Sequence, residues 1–398
     1  MASPKTYKIK NAVAEIYEEK GLNRLRFGTD DKLPNKLINT VDASGTGRLC
    51  IGRRRDFIFG KGFANKDIAK AFINKIQIAN QILKEIAVYA SYFEGFYLNI
   101  KYDLSGKPYS VYHIKVEKIR RMEDGRFRYN ERMGERLYKQ SEDIYYHPFN
   151  PNLSPVERNK RIQAEIKAHG QQLGDILLIH NYGAGYLKEN YPIPDYYSAI
   201  EDIESDAAVA KLEKRNIKKG WRANVVIETV GEMDTSNKDE EGLTEQDRFD
   251  KGINSFCGEE GASVLHIPSK SATARARVYP FNLNEILDAT DKATTRLANK
   301  VCRNTGVPPV LIGLTTPGQL GNTKEVVNHI KLFNLFVTKM QMMITEAFTT
   351  IWPQIDWTIE QLNVIDELPD WLVGVMTTEE KRILGKNLIP NVGGQNAD

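Results

Sequence analysis

The feature that most constrains this chain is the sequence Gly306-Val307-Pro308-Pro309, which follows a long segment of helical periodicity. From Leu283 to Val301, apolar residues recur mostly at steps of three and four, the period of a helix that buries one face. A glycine readily adopts the left-handed conformation that ends a helix, and proline cannot continue one. The helix over 283–304 must therefore stop here and give way to a rigid corner.

A second long helix is predicted after this corner, over 323–352. Asn322 can cap it, with Glu325 three residues later as a capping box, and apolar residues then recur to Phe348. The residues between the corner and this helix are small, uncharged and turn-forming, so we expect them to form a protruding loop. They are Thr315, Thr316, Pro317, Gly318, Gln319, Leu320 and Gly321, followed by the capping residue Asn322.

Length and composition predict two or three domains in a soluble protein. The chain has 398 residues and a net charge of +3, so any surface that attracts nucleic acid must be local. Its cysteines, Cys50, Cys257 and Cys302, form no CxxC pair, which argues against a disulfide framework or a structural zinc site. The N-terminal residues lack a signal-like apolar core, and no apolar run is long enough to span a membrane. We therefore expect no membrane partner.

The first half of the chain is predicted to contain an arm, a helix and a sheet. Residues 1–50 are interpreted as an extended terminal arm with a short helical stretch, and 66–91 as one amphipathic helix. Alternating residues and two turn signals predict an antiparallel sheet that fills much of 93–146. Residues 150–172 are interpreted as a peripheral insertion with a basic helix, and 176–180 as a short buried strand.

A long helix is predicted from Asp195, whose carboxylate could cap it, to about Lys219. Its last turns carry a net charge of +5, which has two interpretations. Cations at a helix C-terminus are stabilised by the helix dipole, so this end could simply be solvated; alternatively, it is a basic patch that binds a partner. The cations are Lys211, Lys214, Arg215, Lys218, Lys219 and Arg222.

A small acidic module is predicted between the two long helices, over 221–280. Residues 232–260 hold ten acidic and three basic side chains. Strands are predicted over 223–228 and 263–267, with a helix from about Thr244 to Phe256. The acidic side chains chosen as a candidate interface are Glu240, Glu241, Glu245 and Asp247.

We find no catalytic constellation in the sequence. The six histidines are scattered without HxxxH or HxH spacing, no segment completes a phosphate-binding loop, and no nucleophile motif occurs. These observations predict a protein that is not an enzyme and holds no metal or cofactor. The alternative is a metal-dependent DNA-processing enzyme, such as a nuclease that uses Asp30 and Asp31.

The order of these features resembles the portal proteins of tailed bacteriophages, of the HK97-like type. The resemblance covers most of residues 90–394, and its most specific part is Gly306-Val307-Pro308-Pro309-Val310-Leu311-Ile312-Gly313. It implies an α+β portal-type fold with a mixed wing domain, long stem helices, a small α/β clip module, a tunnel loop and a short helical crown. The implied parts are a wing (1–194), stem helices (195–219 and 283–306), a clip (220–282), a tunnel loop (307–322), a post-tunnel helix (323–352) and a C-terminal wing or crown tail (353–398).

The resemblance also implies a function and a set of partners. Portal subunits form a ring, typically of twelve, at one capsid vertex, through which double-stranded DNA is packaged and ejected. The clip would meet the terminase and later the head-tail adaptor, and the ring would contact the major capsid and scaffolding proteins. The protein would lie in the virion after assembly in the host cytoplasm. A different head-tail connector component is the remaining alternative.

Overall fold

A computed structural model gives the fold of most of the chain. It describes residues 25–28, 30–184, 186–218, 225–228, 237–238, 242–244, 247–248, 251, 277–280, 283–314 and 323–362. The predicted strand over 263–267 and the Asn322 cap lie outside these residues. Within the described part of the chain, no helix is both long and apolar enough to cross a membrane.

A six-stranded sheet forms the centre of the N-terminal half. The strand order is β2-β1-β6-β5-β4-β3, and every neighbouring pair is antiparallel except β5–β6, which is parallel. The two predicted hairpins, β1–β2 and β3–β4, are confirmed. The strands are β1 (Gly95–Tyr102), β2 (Pro108–Ile114), β3 (Ile119–Arg121), β4 (Phe127–Tyr129), β5 (Ile144–Pro148) and β6 (Asp175–His180).

The predicted antiparallel pairing within 93–146 is confirmed, and the parallel pair of the sheet involves a strand outside that range. The predicted strand at 176–180 is the sheet's inner strand β6, between β1 and β5. A helical insertion lies between β5 and β6 and brings the chain back so that β6 runs in the same direction as β5. A parallel pair requires such a long crossover. This crossover contains α5 (Pro155–His169), which confirms the predicted basic helix.

The N-terminal arm prediction is wrong for the described residues beyond 24. Two helices stand there: α1 (Leu33–Ala43) and α2 (Gly45–Phe59). Ser44 separates them, and its hydroxyl accepts a hydrogen bond from the Gly47 amide at 2.8 Å, which caps α2. Leu37, Val41 and Cys50 are buried in the core, so this segment is an integral part of the fold. Residues 1–24 lie outside the description.

The predicted single helix over 66–91 is instead two helices, α3 (Lys66–Lys70) and α4 (Ala79–Phe93). Asn74 explains the break, because its side-chain oxygen accepts hydrogen bonds from two following amides at 3.0 and 2.8 Å. Such side-chain bonds compete with the helical pattern. Phe72 and Ile76, which the periodicity placed inward, are 74% and 73% exposed.

The three predicted long helices are present, and the first two pack side by side. They are α7 (Ile200–Lys218), α8 (Leu283–Thr305) and α9 (Thr323–Ile351), with a short α6 (Tyr186–Asn190) before them. α9 runs unbroken for 29 residues, about 43 Å at 1.5 Å per residue.

The predicted Asp195 cap is wrong. A 3₁₀ turn (Asp195–Ala199) precedes α7 and makes no side-chain cap. The Asp195 carboxylate instead accepts from the Lys188 ammonium at 2.7 Å and from the Asn181 amide at 3.0 Å.

Two short strands open and close the segment between α7 and α8. β7 (Val225–Glu228) pairs antiparallel with β8 (Arg277–Pro280). β7 agrees with the predicted strand, whereas β8 was not predicted. Asp247, Arg248 and Lys251 have helical backbone, in agreement with the helix predicted there.

The residues after α9 return to the first helices. Trp357 stacks on Phe348 at 4.8 Å between ring centroids and meets the edge of Phe63 at 5.2 Å. Ile359 forms an antiparallel bridge with Phe63. The end of α9 is therefore fixed to the segment between α2 and α3.

His113, on β2, is a buried imidazole that generates a pH prediction. Its ring contacts Tyr89 at 4.5 Å, and burial lowers its pKa to about 3. The unfolded chain, with an ordinary histidine pKa of about 6.5, binds the proton that the folded chain excludes. This stabilisation is complete above about pH 6.5 and is lost as the pH falls toward 3, at up to about 1.4 kcal/mol per pH unit.

We expect His113→Phe to reduce the acid slope of the unfolding free energy by up to this amount between about pH 6 and 4. The free energy is measured by urea unfolding, with exposed His169→Gln as the matched control. Equal slopes for wild type and His113→Phe would contradict the buried neutral imidazole.

Candidate functional site

The candidate site is the pair of anchors on either side of residues 315–322, and the first anchor is the end of α8. The Val307 amide donates to the Cys302 carbonyl at 3.0 Å, and the Gly306 amide donates to the Arg303 carbonyl at 3.3 Å. Gly306 has φ +74°. This is a Schellman motif, in which a left-handed glycine satisfies the last carbonyls of a helix. The predicted helix stop at Gly306 is confirmed.

The diproline leads into one 3₁₀ turn, Pro309–Ile312, that ends at Gly313 in the left-handed region. The Leu314 amide donates to the Pro309 carbonyl at 3.1 Å, which closes the turn. The Arg53 guanidinium donates to the Leu311 carbonyl at 2.8 Å. The corner is thus tied to α2 immediately before the uncharged residues begin.

A buried arginine lies beneath this corner. Arg54 of α2 is 1% exposed, and its guanidinium pairs with the Glu94 carboxylate at 2.6 Å. It also lies 3.5 Å from the Thr305 carbonyl at the end of α8. The rings of Tyr196 and Phe336 flank the guanidinium, each centroid 5.4 Å away. Arg54 therefore contacts four segments that are far apart in the sequence.

Glu94 extends this network toward α9. Its second oxygen accepts from the Asn181 amide and the Asp195 backbone amide, both at 3.1 Å. The Asn181 oxygen in turn accepts from the Lys339 ammonium at 2.6 Å. Glu94 is the residue that ends α4, and its backbone lies in the left-handed region at φ +51°. Its carboxylate faces Arg54 of α2. These hydrogen bonds, from Arg54 through Glu94 and Asn181 to Lys339, therefore connect the end of α8 with α9, the second anchor.

Gly306 also lies directly against the Phe336 ring of α9. A Cβ added there would lie 2.6 Å from the Phe336 ring on α9. Phe336 stacks on Phe333, which meets the edge of Phe57 on α2. The corner after α8 and the first half of α9 are thus packed directly against each other, although eight residues outside the description separate them in sequence.

α7 and α8 are held together by polar contacts on their facing sides. The Asp202 carboxylate accepts from Lys300 at 3.0 Å and from Asn304 at 3.2 Å. Glu213 accepts from the Thr294 hydroxyl at 3.1 Å. Below them, Asp206 accepts from the Ser44 hydroxyl at 2.6 Å, which ties α7 to the start of α2.

Cys50 and Cys302 fasten α8 to α2. Their sulfur atoms lie 3.8 Å apart and both side chains are buried. The neighbouring Cys50 sulfur, with burial, holds the pKa of the Cys302 thiol far above its usual range. The same hydrogen bond between the sulfur atoms lowers the pKa of the Cys50 thiol, so Cys302 is the member of the pair held in its protonated form.

The structure describes only some of the residues predicted from the sequence to form functional sites. Lys211 and Lys214 are exposed on α7. Arg215 and Lys218 belong to the same helix, and Lys219 and Arg222 lie outside the description. Thr315, Thr316, Pro317, Gly318, Gln319, Leu320, Gly321 and Asn322 also lie outside it, so the tunnel-loop assignment stays a prediction.

One residue of the predicted acidic interface is described. The Asp247 carboxylate accepts from the Thr244 amide at 3.0 Å, while the Thr244 hydroxyl accepts from the Asp247 amide at 3.1 Å. These reciprocal bonds are a capping arrangement, so Asp247 has a structural role at a helix start. Glu240, Glu241 and Glu245 lie outside the description, and the clip interface stays a prediction.

The carboxylates of the nuclease alternative are engaged in structural contacts. Asp31 pairs with the buried guanidiniums of Arg120 and Arg128 and accepts from the Phe27 amide at 2.9 Å. Asp30 pairs with Lys36 at 2.9 Å. Within the described residues, no three metal-binding side chains converge. Asp31 acts as a fold anchor, with its two oxygens already used by cations.

Arg54 and Glu94, which connect the two sides of the site, were not predicted from the sequence. Arg54 stands in the run Arg53-Arg54-Arg55, which is typical of a solvated helix face. A signal was present: Arg54 falls on the helical face of Cys50, Phe57 and Ile58, which are buried. A cation on an apolar face indicates a buried partner, but the sequence does not say which carboxylate supplies it.

The Arg54–Glu94 pair gives a stability prediction. Arg54→Met leaves the Glu94 carboxylate buried without its cation, and we expect a loss of about 3–5 kcal/mol in the free energy of unfolding. Arg126→Met, which removes an exposed pair with Asp124, is the control and should cost at most about 1 kcal/mol. Adding Glu94→Gln to Arg54→Met should recover part of the loss. Equal losses for the two arginine variants would contradict the buried pair.

Gly306 gives a second prediction with a matched control. Gly306→Ala and Gly125→Ala both place alanine at a positive φ, but a Cβ at Gly125 meets nothing within 4 Å. We expect Gly306→Ala to be more destabilising in urea unfolding by roughly 1–3 kcal/mol, the usual range for overpacking. Phe336→Leu in the Gly306→Ala background should restore part of this difference; no difference between the glycines would contradict the contact.

The sequence matches no protein-family model and no curated protein. Solved structures do share its fold. A chain from the neck of a native GTA particle computed with C12 symmetry has a TM-score of 0.52 and 13% identity, over 94% of this chain and 93% of that chain. A chain from the neck of an empty GTA particle computed with C6 symmetry has a TM-score of 0.51 and 13% identity, over 88% and 92%.

An HK97 family phage portal protein from Corynebacterium diphtheriae is 11% identical over 83% of this chain and 95% of that chain. Its TM-score of 0.41 is too low to establish a shared fold. The two neck chains establish more: over nearly its whole length, this α+β chain has the fold of a protein in the neck of a gene transfer agent particle.

Proposed function

We propose that this protein is a portal subunit, which forms with other copies a ring-shaped channel for double-stranded DNA at one vertex of a phage-type capsid. The observation that supports this proposal is that the chain is fixed on both sides of residues 315–322. Both flanking segments contact one hydrogen-bonded network, through the buried Arg54 on one side and the exposed Lys339 on the other. The two ends of the segment are thereby fixed by one network, and we assign contact with the passing DNA to the residues between them.

The chemistry of the anchored segment suits moving DNA. A protein that neutralises phosphates with lysine and arginine releases counterions and binds tightly, and such binding would hold DNA in place. Residues 315–322 carry no charged side chain. A ring of these loops would surround the duplex without gripping it, and the rigid corner at Pro308 would keep each loop directed toward the channel.

The fold likeness supports the ring. The similar chains come from particle necks computed with twelvefold and sixfold symmetry, and this chain covers nearly all of their length. We assign the wing to 1–194, the stem helices to 195–219 and 283–306, and the post-tunnel helix to 323–352. The clip is assigned to 220–282, and 353–398 to the C-terminal tail.

The proposed partners follow from this arrangement. The clip, with Glu240, Glu241, Glu245 and Asp247, would dock the terminase and later the head-tail adaptor. Repetition around the ring would turn the basic end of α7, at Lys211 and Lys214, into a belt of positive charge. The wing would meet the major capsid and scaffolding proteins, and the finished ring would belong to the virion.

Electron microscopy of the purified chain tests the ring. We expect closed rings with a central hole wide enough for B-form DNA. A protein that remains monomeric at every concentration and cleaves plasmid in the presence of Mg²⁺ would contradict the proposal and favour the DNA-processing alternative.

The loop assignment gives a separate prediction. Gln319→Lys adds a cation from every subunit to the channel, so we expect rings to form normally while DNA packaging falls. Thr316→Lys should behave alike, and Gln319→Met, which adds no charge, is the control. Packaging is measured as the DNA content of assembled particles; normal filling with Gln319→Lys would count against the assignment of 315–322 to the channel.

A further inference from the structure

The outer face of α2 is exposed and has glycine at its centre. Its inward residues, among them Cys50, Arg54 and Phe57, are buried. The opposite face, at steps of three and four, consists of Gly45, Arg48, Leu49, Gly52, Arg55 and Asp56. Leu49 is 53% exposed. This face and α4 border a groove of about 520 Å³.

Nothing within the described chain explains Gly45 and Gly52. A Cβ at Gly47 would meet the Ser44 hydroxyl at 3.0 Å and Ile203 at 3.2 Å, so packing accounts for that glycine. A Cβ at Gly45 or Gly52 would meet nothing within 4 Å. Glycine inside a helix is less stable than alanine by about 1 kcal/mol. A close approach by another molecule's backbone would account for small residues here.

Asp42 and Asp56 also line the groove, and Arg48 is the cation of this face that would favour an acidic occupant. Arg48 is exposed and makes no ion pair within the described residues, whereas Arg55 pairs with Asp56 on the same helix. The exposed face of α9, which includes Leu332 and Leu335, is a less suitable occupant. It carries Lys331 and Lys339, which would place like charges beside Arg48.

The exposed face of α7 has the complementary features. It consists of Glu201, Glu204, Ser205, Ala208 and Leu212, at the same helical spacing and over the same number of residues as the α2 face. Neither glutamate forms an ion pair within the described part of the chain. Its centre, Ser205 and Ala208, is small enough for two helices to approach closely.

We propose that the glycine-centred face of α2 receives the acidic face of α7 from a neighbouring copy of this chain. The inference rests on the proposed ring and names its subunit contact. Because the two faces are different parts of one chain, the contact is head-to-tail, and such contacts close into rings when the rotation between copies allows it. Gly45 and Gly52 let the helices approach, and Arg48 meets the carboxylates of Glu201 and Glu204.

The test compares ring formation with folding for four variants of the full chain. Gly52→Leu fills the open space at the centre of the α2 face, and since leucine favours helix, the melting temperature of the subunit should not fall. We expect the concentration of half-assembly, measured by mass photometry, to rise at least roughly tenfold. Arg48→Glu and Glu204→Arg should each weaken assembly, and the double variant Arg48→Glu with Glu204→Arg should restore it.

Two exposed positions on α5 supply the controls, Ala164→Leu for bulk and Lys160→Glu for charge. Both should assemble like the wild type. Rings formed equally by the wild type and Gly52→Leu would overturn this inference and leave the proposed function standing. Disruption by Gly52→Leu without rescue by the charge exchange would overturn α7 as the occupant. A wild type that forms no ring would overturn the proposed function itself.

Discussion

The pairing of Arg54 with Glu94 is the interaction on which the rest of this structure depends. A guanidinium that is almost fully buried is costly to desolvate, and it is tolerated only where partners satisfy it. Here the partners come from α4, from the end of α8 and from the rings of Tyr196 and Phe336. Those segments must assume their relative positions for the charge to be compensated. Compensation of this buried charge is thus coupled to one relative arrangement of these segments.

This arrangement fixes the chain on both sides of the uncharged residues 315–322. The Schellman motif and the 3₁₀ turn fix the chain before it, and the contact between Gly306 and Phe336 joins that corner to the helix that follows. A force on the segment therefore acts on a packed unit of α2, α8 and α9. In the proposed DNA channel, this support would hold both ends of the uncharged segment without any attraction to phosphate.

Sequence periodicity predicted the long helices α7, α8 and α9, the two hairpins and the stop at Gly306, because each is encoded by local residues. It failed where distant groups decide the structure. The side chain of Asn74, which also bonds to β2, breaks a helix that the apolar pattern made continuous. Asp31 looked like a possible metal ligand and is an arginine partner. The burial of Arg54 depends on a carboxylate 40 residues away, and no local pattern identifies that partner.

The bridge between Phe63 and Ile359 has a consequence for biosynthesis. The N-terminal helices cannot finish packing until Ile359 has left the ribosome, because Phe63 finds Trp357 and Phe348 only then. The sheet and the α7–α8 pair lie between Phe63 and Ile359 in the sequence, so they are synthesised before this contact can form. Until it forms, aromatic side chains at its edge remain open to solvent and to chaperones. The packing of the N-terminal helices is thus completed only after residues 357–359 have been synthesised.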